Sequence, residues 1–327
     1  MSDFNLLKKI IEDNNSFLLT THVNPDADAL GSVLSLSYIL KKLGKNVRIV
    51  NHSSTPYNLE FLDEAGIIEK YDVRLHNDIF NKADVCMLLD LNQANRIVSM
   101  EKGFREFKGI RVCIDHHQNN EDIFDYSFGG AEYNATCEIL YDFITETKIA
   151  KLDYSIAYQL YAGIMTDTGS FRFERTSPRI HKIAAELLET GINPTDIYDK
   201  IYNQFKFGRV KLLGEALSNI KLDTTGKIAY MTIGRNSLEM NNSSEADVDG
   251  FVNYCLTIQD VQIGIFFYEL KDGIKVSFRS KGKIPVNKLA GEFNGGGHIN
   301  ASGARLDNIA LDDVIDKIIT AAQGYLK

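Results

Sequence analysis

Tryptophan is absent from the 327 residues, so any stacking on a nucleobase falls to Phe, Tyr or an Arg guanidinium. Cysteine is scarce: Cys86, Cys113, Cys137 and Cys255 stand singly in apolar runs, without the paired C-x-x-C spacing of a thiolate metal site. They read as reduced core residues, which sets aside a disulfide framework and a sulfur-ligated zinc. No stretch approaches the roughly 20 consecutive apolar residues that cross a bilayer. The opening MSDFNLLKKIIEDNN is a polar amphipathic helix rather than a signal peptide, which points to the cytoplasm and away from membranes. Positive charge is in deficit too. A formal net charge of -8 argues against a protein that coats long duplex DNA, because that task needs many phosphate contacts from Lys and Arg. It permits a small anionic substrate held by local positive groups or metal ions. Internal repeats and low-complexity segments are also missing.

What is present is alternation. In the first half, apolar strand-like runs alternate with amphipathic helical stretches, the pattern of an α/β parallel sheet with helices on both faces. Strands are expected at Ser16 to Thr21, Asn46 to Val50, Val85 to Leu89 and Arg111 to Ile114, with helices over 3–14, 30–43, 136–147, 154–165 and from Ser177-Pro178 to Gly191. From about Lys227 the pattern changes. Lys227 to Ile233, Gln262 to Glu269 and Gly273 to Arg279 alternate like antiparallel strands, with Asp272-Gly273 as a hairpin turn. A helix from Val286, a loop FNGGGHINASG and a helix after Leu311 follow. The expected organisation is a first domain over 1–190, a helical linker over 191–222, and a smaller mixed α/β domain over 223–327, with the active site in the cleft between the domains.

The candidate chemistry sits where apolar runs end. In open parallel sheets, ligand sites form beyond the carboxyl ends of the strands. The strand 16–21 runs into His22-Val-Asn-Pro-Asp26-Ala-Asp28-Ala-Leu-Gly31, where Pro25 forces an extended turn and puts His22, Asp26 and Asp28 on a loop. Asp26 alone also suits the cap of the helix that follows. Asp90 follows VCMLL, Asp115-His116-His117 follows RVCI, and Asp167 follows the apolar stretch to Met165. Imidazoles with carboxylates, and no soft sulfur ligand among them, suit a hard or borderline divalent ion such as manganese.

HVNPDADALGS, Asp90 after its strand, the DHH of residues 115–117 and DTGSFRF at 167–173 resemble, in order, the four motifs of the DHH phosphoesterases. That superfamily includes RecJ exonucleases, manganese-dependent pyrophosphatases and short-oligoribonucleotide nucleases. The resemblance implies two divalent ions, manganese first. His22, Asp26 and Asp90 would hold one, and Asp28, Asp90, His116 and Asp167 the other, with Asp90 bridging. Two ions about 3.5–4 Å apart both neutralise a phosphodiester and make a nucleophile at neutral pH. His117 is expected to bind phosphoryl oxygens or protonate the leaving group, or else to orient a ligand from behind.

In the second half, Gly295, Gly296, Gly297 and His298 allow backbone N–H groups to approach an anion, and Arg279 ends a strand with a fork that grips phosphate. These features resemble the DHH-associated domain, whose loop and arginine bind the nucleotide. Arg279, Gly296, Gly297 and His298 therefore carry the substrate-binding expectation, Lys281, Lys283 and Arg305 are weaker candidates, and Phe171 or Phe173 is a candidate stacking surface. Within the superfamily, the length and single compact associated domain look most like the oligoribonuclease and pAp phosphatase branch. That implies short RNA oligonucleotides of di- to pentanucleotide size and 3′-phosphoadenosine 5′-phosphate as substrates, and a homodimer. Cyclic-dinucleotide phosphodiesterases share the layout; a manganese pyrophosphatase or a non-catalytic nucleotide sensor are further readings.

Overall fold

A computed structural model describes residues 3–76, 78–118, 120–270, 272–307 and 309–326. The chain forms two compact units, Met1–Gln204 and Phe205–Lys327. The first is built on β1 (Ser16–Thr20), β2 (Asn46–Asn51), β3 (Ile68–Lys70), β4 (Val85–Leu89), β5 (Ile110–Asp115) and β6 (Tyr126–Gly129). They lie in the order β3-β2-β1-β4-β5-β6 with every pair parallel. The chain winds outward from β1 to β3, returns to β4 and winds the other way. β1 and β4 therefore flank the point where the strand order reverses, and their loops leave in opposite directions to open a crevice there.

Burial on both faces explains why these strands read as unbroken apolar runs. Along β4, Val85, Met87 and Leu89 face one core while Cys86 and Leu88 face another. The first core is completed by α1 (Phe4–Asp13), α2 (Ala27–Lys42), α5 (Thr136–Thr147), α6 (Tyr154–Asp167), α7 (Pro178–Leu188) and α8 (Pro194–Tyr202). The second is covered by short pieces: α4 (Glu101–Glu106) supplies Phe104, a 3₁₀ turn over Ala94–Met100 supplies Ile97 and Met100, and α3 (Val73–His76) lies in the connection from β3 to β4. Strands β3 and β6 went unread in the sequence because each is a short sheet edge with few buried residues.

The second unit's sheet comprises β7 (Lys221–Leu222), β8 (Ile228–Ile233), β9 (Ile263–Leu270), β10 (Gly273–Ser280), β11 (Gly296–His298) and β12 (Ala301–Asp307), ordered β11-β12-β10-β9-β8-β7. Three expectations are corrected here. β8 pairs with β9 in parallel, because residues 234–262 pass through α10 (Ser237–Met240) and 3₁₀ turns before returning; alternation reports an exposed face, not a strand direction. The glycine run expected as a loop is an edge strand, with Gly296, Gly297 and His298 opposite Gly303, Ser302 and Ala301. Gly273 belongs to β10, opposite Leu270, rather than to the turn. One sheet face packs against α11 (Val286–Gly291) and α12 (Leu311–Gln323), and the other, over β8 and β9, against α9 (Phe207–Ser218) and the turn Phe251–Thr257. Within the segment expected as a linker, Ile197 and Ile201 of α8 are buried in the first unit's core and Leu212 and Ala216 of α9 in a core of the second.

α2 packs tightly on α6, and two glycines permit it. A Cβ on Gly31 would lie 2.5 Å from the carbonyl oxygen of Gln159, and one on Gly163 would lie 2.6 Å from Oδ1 of Asp28. Gly31→Ala should therefore force the helices apart and cost about 1–3 kcal/mol, as overpacking does. Urea unfolding measures this; a midpoint equal to that of the unaltered protein would show that the contact is not tight.

Candidate metal centre and anion-binding face

Asp90 stands at the centre of the crevice. It is 2% exposed and adopts a left-handed backbone conformation, φ +61°, immediately after β4. Few side chains tolerate that region, Asp and Asn among them. Its N–H donates to the carbonyl of Ile114 (3.0 Å), which ties the bend to β5. The bend aims the two carboxylate oxygens apart: Oδ2 lies 3.3 Å from Nε2 of His22, and Oδ1 lies 3.3 Å from Nε2 of His116. Burial penalises this carboxylate, but the imidazoles of His116 and His22 more than offset it and hold its pKa well below the usual range.

His22 leaves β1 with Nδ1 2.9 Å from the carbonyl oxygen of Val23. A carbonyl only accepts, so Nδ1 carries the hydrogen of that bond and the neutral ring has its lone pair on Nε2, facing Asp90. Asp26 caps α2, accepting from the N–H groups of Asp28 (3.1 Å) and Ala29 (3.0 Å). The helix-cap reading and the site reading of Asp26 thus both hold. Asp28, expected on a loop, lies in the first turn of α2 and is fully buried. The helix starts earlier than apolar spacing suggested because Asp28 interrupts the apolar pattern of its first turn. The Asp28 carboxylate receives two backbone donors from the start of α5, Thr136 N–H at 2.7 Å and Cys137 N–H at 2.9 Å.

Asp167 ends α6 and places Oδ2 3.3 Å from Nε2 of His116. The turn after it is strained: Gly169, Ser170 and Phe171 are all left-handed, with φ of +58°, +59° and +63°. Phe171 packs on Tyr161 and His181, each at 5.7 Å between centroids, whereas Phe173 lies against Gly169 and stays 53% exposed.

Ligand atoms accordingly gather in three groups: His22 with Asp26 and Asp90, Asp28 with His116 and Asp167, and Asp90 with His116 and His117, each within 4.8 Å. All six side chains expected as ligands are brought together. The donor set fits divalent cations: carboxylate oxygens and imidazole nitrogens, with no thiolate among the described groups. Electrostatics point the same way. Loss of water first, then the charge of Asp90, pushes Asp26 up and pushes Asp28 up to about 7; loss of water and the charge of Asp28 push Asp167 well up. Burial opposes a charge on His116, but Asp90 outweighs it and raises the pKa to about 9. Carboxylates so close together ionise at neutral pH only beside positive charge.

Two contributors received no role from the sequence: Asp115, noted only as the residue that ends its strand, and Thr136. Asp115, the last residue of β5, is buried; its Oδ1 lies 2.7 Å from Nδ1 of His117 and its Oδ2 accepts from the His117 N–H at 3.1 Å. It fixes the ring, and its signal was the first letter of the DHH triplet. Thr136 donates through Oγ1 to Oδ1 of Asp90 at 3.1 Å, and no motif marked it.

In the second unit, Arg279, Ala301 and His298 lie directly opposite one another on β10, β12 and β11. Opposed residues of an antiparallel ladder share a face, so Arg279 and His298 flank the small Ala301. The adjoining row is Ser277, Gly303 and Gly296, and a Cβ on Gly296 would meet nothing within 4 Å. Gly295 and Gly297 are packing glycines instead: a Cβ would come within 2.2 Å of Gly303 O and 2.6 Å of Ala301 O. Arg279 is half-buried, and among the described residues no carboxylate lies within ion-pair distance of it. Burial lowers its pKa, with the more distant charge of Asp249 opposing. The result is a flat floor of small residues rimmed by an unneutralised guanidinium and an imidazole.

Crowding of the carboxylates sets a pH dependence for the metal-free protein. Asp28 rises from 3.8 to about 7 on folding and His116 from 6.5 to about 9, so the folded chain binds more protons than the unfolded one across these windows. Stability contributed by these groups is present at low pH and lost as pH climbs through about 7 and about 9. In chelator the melting temperature should fall from pH 5 to 9, and saturating Mn²⁺ should abolish that slope. A flat or rising profile in chelator would contradict the crowding.

Comparison with known proteins places the chain. The DHH family N-terminal domain matches residues 16–164 and the DHHA1 domain matches residues 225–327. The bifunctional oligoribonuclease and PAP phosphatase NrnA of Bacillus subtilis is 30% identical over 316 residues, 96% of this chain and 95% of that protein. NrnA of Thermus thermophilus is 29% identical over 309 residues, 94% and 89% of the two chains. An exopolyphosphatase-related protein from Bacteroides fragilis, 32% identical, has a TM-score of 0.93 covering 98% of this chain and 96% of that one. Exonuclease RecJ bound to manganese, 13% identical with a TM-score of 0.56 over 98% and 94%, shares the fold. Motifs, fold and relatives agree, and the chain belongs to the DHH phosphoesterase family, a hydrolase of phosphoester bonds with both the DHH and the DHHA1 domain.

Proposed function

We propose that this protein is a two-metal phosphoesterase that hydrolyses short oligoribonucleotides to mononucleotides and 3′-phosphoadenosine 5′-phosphate to AMP. The observation that carries the reading is the position of Asp90, whose two oxygens face two separate donor groups. His22, Asp26 and Asp90 would hold one divalent ion, and Asp28, Asp90, His116 and Asp167 the other, with Mn²⁺ favoured by the mix of carboxylate and imidazole. Bound there, the ions supply neutralisation of the phosphate oxygens and a lowered pKa for water.

The chain's own residues do the rest. Nδ1 of His117 donates to Asp115, which leaves Nε2 as the atom that exchanges a proton with the leaving oxygen. Arg279 and His298 grip a nucleotide phosphate over the floor of Ala301 and Gly303, where the open space above Gly296 admits a close backbone approach. Phe173, exposed on the turn beside Asp167, offers a face for stacking without sequence preference. The names of the relatives support the substrates, since both NrnA proteins are called oligoribonuclease and PAP phosphatase. Among the described residues no helix is long and apolar enough to cross a membrane.

A panel of pAp, linear dinucleotides, cyclic dinucleotides and pyrophosphate with Mn²⁺ tests the reading. Turnover of pAp and pApA should dominate, and vigorous hydrolysis of pyrophosphate alone would overturn it. Asp90→Asn keeps a residue that tolerates the left-handed bend but removes the shared charge, so kcat should fall by about 10³ or more while the fold persists. Arg279→Ala should raise KM for pAp about tenfold or more with kcat and bound manganese little changed, the value of a charge-assisted hydrogen bond. Loss of manganese in that variant, measured by elemental analysis, would contradict the division of labour.

A further inference from the structure

We propose that the start of α5, acting through Thr136, positions Asp28 and the shared Asp90 relative to one another, and that the Thr136 hydroxyl fixes the torsion of the Asp90 carboxylate so that one oxygen faces each donor group. The proposal rests on the reading of those groups as the seat of two ions. Its geometry is specific. Thr136 is buried and binds both carboxylates at once, giving its N–H to Oδ2 of Asp28 (2.7 Å) and its Oγ1 hydrogen to Oδ1 of Asp90 (3.1 Å). The next N–H, of Cys137, holds the other oxygen of Asp28 at 2.9 Å. Asp28 belongs with His116 and Asp167, and Asp90 with His22 and Asp26, so one residue spans the two groups without being a ligand in either.

A hydroxyl is needed because a carboxylate turns readily about its last torsion, which is broad and nearly two-fold. His22 on one side and His116 on the other would each accept either oxygen. A fixed donor beside the carboxylate limits that rotation, holding its plane so that one oxygen lies toward His116 and the other toward His22. The donor is itself held in place. Oε2 of Glu138, a buried carboxylate one turn into α5, accepts from the N–H and the Nδ2 of Asn134 at 2.7 and 3.1 Å. Its other oxygen and the Asp142 carboxylate bind the guanidinium of Arg179 on α7. Moving the start of α5 would break this part-buried ion network, which is costly when a charge is left unpaired.

Thr136 is a positioning residue, and the readout that separates this from general packing is the ion pair itself. Metal-free wild type is titrated with Mn²⁺ by calorimetry and by electron paramagnetic resonance, which detects coupling between two nearby Mn²⁺ ions. It should take up two ions with a coupled signal. Thr136→Val keeps the N–H and the shape but loses the hydroxyl. It should bind the second ion at least tenfold more weakly and lose the coupled signal, with its metal-free circular dichroism and melting temperature close to wild type. Thr136→Ser should restore both. If Thr136→Val does not fold, Thr136→Ala against Thr136→Ser carries the comparison. A Val or Ala variant that matches Ser in affinity within twofold and keeps the coupled signal overturns the proposal. A wild type that takes up fewer than two ions fails at the earlier step, sinking the ion-pair reading and the proposal with it.

Discussion

Negative charge gathered in one crevice is the constraint around which the first unit is organised. Asp26, Asp28, Asp90 and Asp167 converge with two imidazoles; Asp28 and Asp90 are buried, Asp167 is partly buried and Asp26 stands at the exposed rim. Such a cluster is unfavourable by itself: three of the four carboxyls are pushed toward their neutral forms, and only Asp90, between His22 and His116, is held firmly ionised. A divalent cation would resolve that conflict by adding positive charge to that of the two imidazoles, and its binding would then offset the cost of the arrangement.

The scaffold holds the arrangement by three devices. Reversal of strand order between β1 and β4 opens a crevice at the carboxyl ends of the sheet and delivers His22, Asp90 and His116 to it. Close packing of α2 on α6 through Gly31 and Gly163 brings Asp28 toward Asp167. Backbone donors at the start of α5 then satisfy the buried Asp28 carboxylate, which would otherwise be costly to keep in so dry a place. Each device uses ordinary helix and strand geometry. Left-handed backbone occurs at Asp90 and in the turn after Asp167, two of the places where such geometry falls in the described chain.

The two units differ in chemical character. Among the described residues the crevice of the first gathers carboxylates, a setting that favours a cation over a bare phosphate. The second offers the opposite: Arg279 and His298 on one face of a sheet, separated by residues too small to obstruct a ligand. Sheet pairing explains why glycine recurs there. Gly295 and Gly297 let β11 approach β12, while Gly296 leaves space above the edge strand.

The sequence by itself determined the parallel sheet and the helices that cover it, and it marked the carboxylates and imidazoles that the crevice gathers, because most follow apolar elements and the motif resemblance names all six. Asp26, Asp90 and Asp115 all stand one step beyond or at the boundary of a run that could be read. Tertiary structure alone decided the rest. Thr136 meets Asp28 across 108 positions and Asp90 across 46, and its contribution is a backbone N–H and a hydroxyl that any helix start might carry. The direction of β8 and the pairing of the glycine run were likewise undetermined, since alternation specifies which face is buried but not which neighbour lies alongside. Long-range partners are chosen by packing, and packing leaves no mark within a few residues of either partner.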